Sequence, residues 1–365
     1  MKRISVSLRW LVPAVLVVGL VTSGAAVAGA KNAPVQGGSA TLNASGATFP
    51  QSYYEEVIGA FKQKDSNVTI NYAGGGSGKG RQDFADQVVD FAGSDAPYKP
   101  EDLAGVKGGT FFYFPTVAAP ITVSYNLTSV KKLQLSAETL AKIFSGEIKT
   151  WDDAAIKADN KGAKLPSTAI TVVHRADSSG TTENFTKFLT AAAPTAWTLG
   201  SGSTVSWPAD TQAGQGNSGV GQTVKNTDGA IGYVDFADAK ALKLQFARIK
   251  NKDGKFVAPS VKATTAAIDK AQVKGDLTYD PLNASGAGAY PIAAPTWLLV
   301  YQNQSDSAKG TAVKNFLNYI YGNGQKLAPE VDYAPLPKSL LDKAKAQVKK
   351  VGASSSSSGA STSTT

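Results

Sequence analysis

Ala169-Ile170-Thr171-Val172-Val173-His174-Arg175-Ala176-Asp177-Ser178-Ser179-Gly180-Thr181-Thr182 reads as a β-strand that turns through Ser-Ser-Gly-Thr into a helix. The run Ala169 to Val173 is apolar and β-branched, as strands prefer, and Thr182-Glu183-Asn184-Phe185-Thr186-Lys187-Phe188-Leu189 has helical character. Such a junction gathers unpaired backbone N–H groups, hydroxyl donors and the positive end of a helix dipole at one point. Arg175 adds a cation that can grip an oxyanion through two N–H groups, and Asp177 is near enough to hold it in place. These are the parts of a binding place for a tetrahedral oxyanion, and nothing in them requires catalysis.

A hydrolase triad is not expected there. His174, Asp177 and Ser179 crowd into one turn, and no Gly-x-Ser-x-Gly elbow is present. Along a strand His174 and Arg175 also face opposite sides, so an Arg175 turned to the ligand turns His174 away.

The same junction recurs upstream. Thr41-Leu42-Asn43-Ala44 leads through Gly46-Ala47-Thr48-Phe49-Pro50 into a helical pattern at Tyr54, Val57, Ile58 and Phe61, with Pro50 suited to the first turn. Asn67 to Tyr72 alternates like a strand and ends in Gly74-Gly75-Gly76-Ser77-Gly78-Lys79-Gly80, with a helix expected from about Arg81 through Val88. Ala73 and Gly80 stand where a nucleotide P-loop needs Gly and Ser or Thr, so that glycine-rich turn is not a nucleotide site. It remains either a plain turn or an anion-binding one. Helix starts at Thr48-Phe49-Pro50, Ser77-Gly78 and Ser179-Gly180-Thr181 would converge on one dehydrated anion site beyond the carboxyl ends of the strands.

Val88-Val89-Asp90-Phe91-Ala92-Gly93 is a further short strand, and it ends in Ser94-Asp95-Ala96-Pro97. By itself Asp95 is a turn or cap residue. In an anion site it has a chemical use, because monohydrogen phosphate can donate a proton to a carboxylate and sulfate at neutral pH cannot.

The alternation of strands and helices argues for α/β architecture. Phe114-Pro115-Thr116-Val117-Ala118-Ala119-Pro120-Ile121-Thr122-Val123 and Tyr290-Pro291-Ile292-Ala293-Ala294-Pro295-Thr296-Trp297-Leu298-Leu299-Val300 share an aromatic, proline-containing start and a β run. They read as two hinge crossings between a discontinuous first domain (41–118 plus 286–350) and an inserted second one (119–285). Trp151 and Trp207 are packing residues of the second domain. Asn217-Ser218-Gly219-Val220 reads as a helix start and Gly229-Ala230-Ile231-Gly232-Tyr233-Val234 as a strand, and either could line the cleft.

The 365-residue chain can carry two cored domains, and 42% hydrophobic with 18% charged residues is a globular balance. With no cysteine and one histidine it can build no disulfide, thiolate site, cysteine nucleophile or multi-histidine metal site, and no cofactor is expected. Lys2, Arg3 and Arg9 precede an apolar core and small residues, the pattern of an export signal over 1–30, cleaved or kept as an anchor. Without those three cations the net charge falls from +9 to +6. No basic stripe interleaved with aromatics suggests nucleic acid. Lys338, Lys343, Lys345, Lys349 and Lys350 are spaced like a solvated helix face, with a cell-wall or anionic-lipid contact as the alternative. Residues 31–40 read as a linker, and 351–365 as a disordered Ser/Thr-rich tail.

Taken together, Gly46 to Pro50, Gly76-Ser77-Gly78, Val89 to Pro97 and Arg175 to Thr181 resemble the PstS family, the phosphate receptors of bacterial high-affinity phosphate ABC importers. Ile143 to Asp152, Gly229 to Val234 and Asp332-Tyr333-Ala334-Pro335-Leu336-Pro337 are similar to it as well. The resemblance runs from about Leu42 to about Ala346. It implies a two-lobed periplasmic-binding-protein fold of type II-like topology, closing over one inorganic phosphate. It implies an exported monomer that serves a membrane ABC permease and has no enzymatic activity. By the matching motifs Thr48 would give its hydroxyl, Phe49 its N–H and Ser77 hydroxyl and backbone donors. Asp95 would accept the phosphate proton, and Arg175, held by Asp177, would be the charged clamp. Ser179, Gly180 and Thr181 would close the donor set. Gly78 stands where a Ser is common, Lys79 adds a cation near the pocket mouth, and Ser178 replaces a common Gly. The rival readings are a receptor for another oxyanion, such as sulfate or molybdate, and a secreted phosphatase.

Overall fold

Alternation sets the first strand of the computed structural model, which describes residues 39–304 and 306–352. In β1 (Ala40–Gly46) Ala40, Leu42 and Ala44 are buried while Thr41 and Asn43 are exposed. β2 (Val68–Gly74) and β3 (Phe91–Ser94) lie parallel to β1 on its two sides. Helix α1 (Gln51–Lys64) links β1 to β2 and buries Tyr53, Tyr54, Val57 and Phe61, the stripe its helical spacing sets out. Helix α2 (Ser77–Ala85) links β2 to β3. It starts at Ser77 rather than near Arg81 and ends at Ala85 rather than Val88. Packing overrides the low helix propensity of its glycines. A Cβ on Gly80 would lie 2.6 Å from the Gly93 carbonyl oxygen and 2.7 Å from Gly46 Cα, so the bare residue lets α2 rest directly on β1 and β3.

β4 (Phe111–Tyr125) follows, then β5 (Thr171–Arg175), β6 (Gln212–Gly214), β7 (Ala230–Asp235) and finally β8 (Ala293–Tyr301). In the sheet they run in the order β2-β1-β3-β8-β4-β7-β5-β6. The last strand is thus inserted beside the first three, antiparallel to β3 and β4. β4 changes partner part-way: Phe111 to Pro120 pair with β8, and Ile121 to Tyr125 pair with β7. The Ile121 N–H donates to the Ile292 carbonyl at 2.8 Å, just before β8 begins. The two expected crossings are therefore neighbouring antiparallel strands, one leaving the first lobe and one returning to it.

β5 runs parallel to both β6 and β7, with helices α3 (Gly180–Ala192) after β5 and α4 (Gly216–Asn226) after β6. Phe185 of α3 stacks on Tyr233 of β7 with ring centroids 4.5 Å apart, which fixes the helix to the strand. Trp151 is buried, its Nε1–H donating to the Gly229 carbonyl at 2.9 Å, and Trp207 stacks on His174 at 5.0 Å. Both tryptophans pack the second lobe, as their sequence settings indicate.

The leader, most of the linker and residues 353–365 of the tail lie outside the described residues. Ala40, the last linker residue, already opens β1, and Val351 is buried while the Gly352 N–H donates to the Gln302 carbonyl at 3.0 Å. The five C-terminal lysines are exposed on and just after a helix over Lys338–Val348. Among the described residues no helix is long and apolar enough to cross a membrane.

Candidate functional site

The first lobe brings a loop and a helix start to the cleft. Gly46 has φ +134° and a Cβ there would stand 2.1 Å from the Gly93 carbonyl oxygen, so only glycine fits the turn out of β1. Behind the turn, Tyr72 Oη donates to the Ala47 carbonyl at 2.7 Å and Tyr333 Oη to the Phe49 carbonyl at 2.6 Å. The Thr48 hydroxyl lies 3.2 Å from Asn217 Nδ2, while Phe49 is buried with its ring edge-on to Tyr333, centroids 6.4 Å apart. Ser77, buried at the start of α2, accepts from the Asp95 N–H at 3.0 Å and donates to Asp95 Oδ2 at 3.1 Å. Asp95 is 2% exposed, and its Oδ1 accepts from Thr296 Oγ1 at 2.7 Å. Burial pushes its carboxyl up to about 7, against the opposing pull of the Thr296 and Ser77 hydrogen bonds and of Arg175 and Arg81.

The second lobe brings the cation. Arg175 ends β5 with its backbone N–H donating to Tyr233 Oη at 3.0 Å. Its Nε donates to Asp177 Oδ1 at 2.8 Å, Nη2 to Asp177 Oδ2, and Nη1 to Thr181 Oγ1 at 3.2 Å. His174 is turned to Trp207, as strand alternation requires. Burial raises the Asp177 carboxyl, but hydrogen bonding and attraction from Arg175, with the Gly216 N–H at 3.0 Å, outweigh it and hold the group below its ordinary range. Ser179 caps α3, its Oγ accepting from the Thr182 N–H at 3.1 Å, while its own N–H donates to the Ser203 carbonyl at 2.9 Å. What Ser179 has left for a ligand is its hydroxyl proton. The first-turn amides of Gly180 and Thr181 have no acceptor inside the helix.

These two walls meet. A Cβ on Gly180 would lie 2.3 Å from Ser77 Oγ and 2.7 Å from Asp95 Cβ, and one on Gly76 would lie 2.3 Å from Asp177 Oδ2. The Gly78 N–H donates to the Ser178 carbonyl at 3.0 Å, Asn184 Nδ2 to the Asp95 carbonyl at 2.7 Å, and Arg81 lies 3.5 Å from Glu183. Thr48, Phe49, Ser77 and Asp95 thus stand on one side, and Arg175, Ser179, Gly180 and Thr181 on the other, with Asp177 and Gly78 just behind. Lys79 does not enter: its ammonium sits on Asp83 at 2.7 Å.

Four participants had no role assigned from sequence, although Asn217 reads as part of a helix start that could line the cleft. Gly216 and Asn217 start α4 after β6, a fourth strand–turn–helix junction. Gly216 holds Asp177, and Asn217 Nδ2 donates to Thr48 Oγ1 and Thr181 Oγ1, each at 3.2 Å. Gln212-Ala213-Gly214 ahead of Gly216-Asn217 was the available signal, though a three-residue strand is a faint one. Thr296 and Asn184 fix Asp95 from distant parts of the chain.

Strand order and helix starts converging on one buried arginine define a two-lobed solute-binding protein with an anion site. A family model described as the PBP superfamily domain matches residues 31–323. The chain is 36% identical over 315 residues to the phosphate-binding protein PstS of Pasteurella multocida, across 85% of this chain and 90% of that one. It is 37% identical over 328 residues to phosphate-binding protein PstS 3 of Mycobacterium tuberculosis, across 87% and 88%. Among solved structures, a periplasmic phosphate-binding protein (PfluDING) bound with phosphate superposes with a TM-score of 0.70 at 27% identity, covering 84% of this chain and 93% of that one. The chain belongs to the PstS family of phosphate-binding proteins.

Proposed function

We propose that this protein is an extracytoplasmic receptor that binds inorganic phosphate between its lobes and hands it to a membrane ABC permease. The lobes are residues 41–118 with 286–350, and residues 119–285, hinged where β4 crosses beside the start of β8. Thr48, Phe49 and Ser77 donate from one lobe, and Arg175, Ser179, Gly180 and Thr181 from the other. The observation that carries the reading is Asp95, a buried carboxyl placed among these donors. Helix starts and an arginine attract any oxyanion. A carboxylate in their midst repels one that lacks a proton and accepts from one that has it. Monohydrogen phosphate fits; sulfate and molybdate do not.

The protein acts by binding alone. Among the described residues the anion site has no histidine to activate a serine: His174 is stacked on Trp207, and the Ser179 hydroxyl accepts from the Thr182 N–H as its helix cap. Export by residues 1–30, in keeping with the periplasmic relative, and a monomeric state complete the proposal.

Calorimetry on ligand-stripped protein at pH 8 tests it. Phosphate and arsenate should bind, and sulfate should not. Absence of phosphate binding would overturn the reading, and metal-dependent turnover of a chromogenic phosphate ester would replace it with the phosphatase.

A further inference from the structure

We propose that Asn217 is a positioning residue that turns the hydroxyls of Thr48 and Thr181 into obligatory donors toward the bound anion. The inference rests on the phosphate reading above and deepens it. Asn217 is fully buried in the first turn of α4, and each of its polar side-chain atoms has a partner. Its Oδ1 accepts from the Asp235 backbone N–H at 3.2 Å. A backbone N–H can only donate, so the amide orientation is fixed and Nδ2 must face the two threonines.

Nδ2 lies 3.2 Å from Thr48 Oγ1 and 3.2 Å from Thr181 Oγ1. Thr181 Oγ1 also receives Arg175 Nη1 at 3.2 Å, and Thr48 Oγ1 also receives the Asn217 backbone N–H at 3.4 Å. Each hydroxyl therefore takes two hydrogen bonds from groups that can only donate. A hydroxyl has two acceptor positions and one proton. With both acceptor positions filled, the proton has to point away from Asn217 and Arg175, toward the space between the lobes. Two rotors that could face either way are thereby set as donors before an anion arrives, which removes a reorganisation cost from binding. Because Thr48 and Thr181 belong to different lobes, one amide also ties the lobes together at the ligand.

The test replaces the donor by an acceptor of the same shape. Asn217→Asp, Asn217→Ala and the parent are compared by phosphate calorimetry at pH 8 and pH 5.5, each affinity being expressed relative to the parent. The carboxylate introduced by Asn217→Asp would draw both threonine protons to itself and repel the anion, so a loss of roughly a hundredfold or more is expected at pH 8. Protonation at lower pH restores a donor, and much of that loss should be regained. Asn217→Ala should lose roughly tenfold at both pH values. Arg175, Asp95, Asp177, Asp235 and Asp238 face this region, and Asn217→Ala, which adds no titrating group, is the reference for any pH dependence they bring. A second measurement covers a poorly folding aspartate variant. Asn217→Ala made on Thr48→Val should cost less than on the parent, since one of its two hydroxyls is gone. Parent-like affinity in Asn217→Ala, equal losses for the aspartate and alanine variants at both pH values, or full additivity with Thr48→Val would each overturn the assignment. A parent that fails to bind phosphate would instead refute the function itself.

Discussion

Gly78 and Ser178 fit each other across the cleft: a Cβ on Gly78 would lie 2.0 Å from Ser178 Oγ and 2.4 Å from Ser178 Cβ, while the Gly78 N–H donates to the Ser178 carbonyl at 3.0 Å. The Ser178 hydroxyl then continues to Ser203 Oγ at 2.9 Å. Gly78 thus leaves the space that Ser178 fills, so a larger residue at 78 and the serine at 178 exclude each other. Gly78→Ser alone should force the closed lobes apart and weaken phosphate binding by roughly tenfold or more, as overpacking costs about 1–3 kcal/mol. Adding Ser178→Gly should restore most of the affinity. Calorimetry of both single variants and the double variant decides, and simple additivity would contradict that exclusion.

Asp95 should control anion choice through its proton. With its carboxyl near 7, the empty site carries a carboxylate at pH 8 and a carboxylic acid at pH 5.5. Sulfate should therefore be rejected at pH 8 and begin to bind as pH falls through about 7. Asp95→Asn, which carries donor protons at every pH, should bind sulfate without that dependence and lose phosphate affinity at pH 8. Sulfate titrations of both proteins across this range would expose a wrong assignment if the parent stayed inert at low pH.

Much of this site was legible because its residues sit at junctions of local signals. Arg175, Asp177, Ser179 and Thr181 lie within seven positions, between a β-branched run and an amphipathic helix, and the structure keeps that order. The start of α2 was not legible, since Gly78 and Gly80 read as breakers until the strand surface beneath them is known. Thr296 lies 201 positions from the carboxyl it holds, and Asn217 169 positions from Thr48. No local pattern links such pairs; they become neighbours only when β8 inserts beside β3 and when the second lobe meets the first.

The same carboxyl should leave a mark on stability. Unfolded Asp titrates near 4, folded Asp95 near 7, so between these values the folded state holds more protons. Its contribution is fully present below about pH 4 and is lost as pH rises through about 7, by at most about 4 kcal/mol. In phosphate-free buffer the stability of the parent relative to Asp95→Asn should therefore fall between pH 5 and pH 8. Parallel denaturation curves at both pH values would exclude it.

Asp177 titrates in the opposite sense. Its folded carboxyl lies below the unfolded value, so the stability it gives is present above about pH 4 and is lost as pH falls through the depressed value. Its partner Arg175 has a side chain only 1% exposed, and Asp177 supplies the carboxylate that neutralises it. Asp177→Asn leaves that guanidinium buried with no such carboxylate, a change that costs about 3–5 kcal/mol in comparable pairs. Phosphate, lodged against the same guanidinium, brings a counter-charge of its own and should recover part of the loss. Thermal unfolding with and without phosphate checks this: the variant should melt well below the parent when empty, and the gap should narrow when phosphate is present. Equal melting of the two empty proteins would show that Asp177 is not what neutralises the clamp.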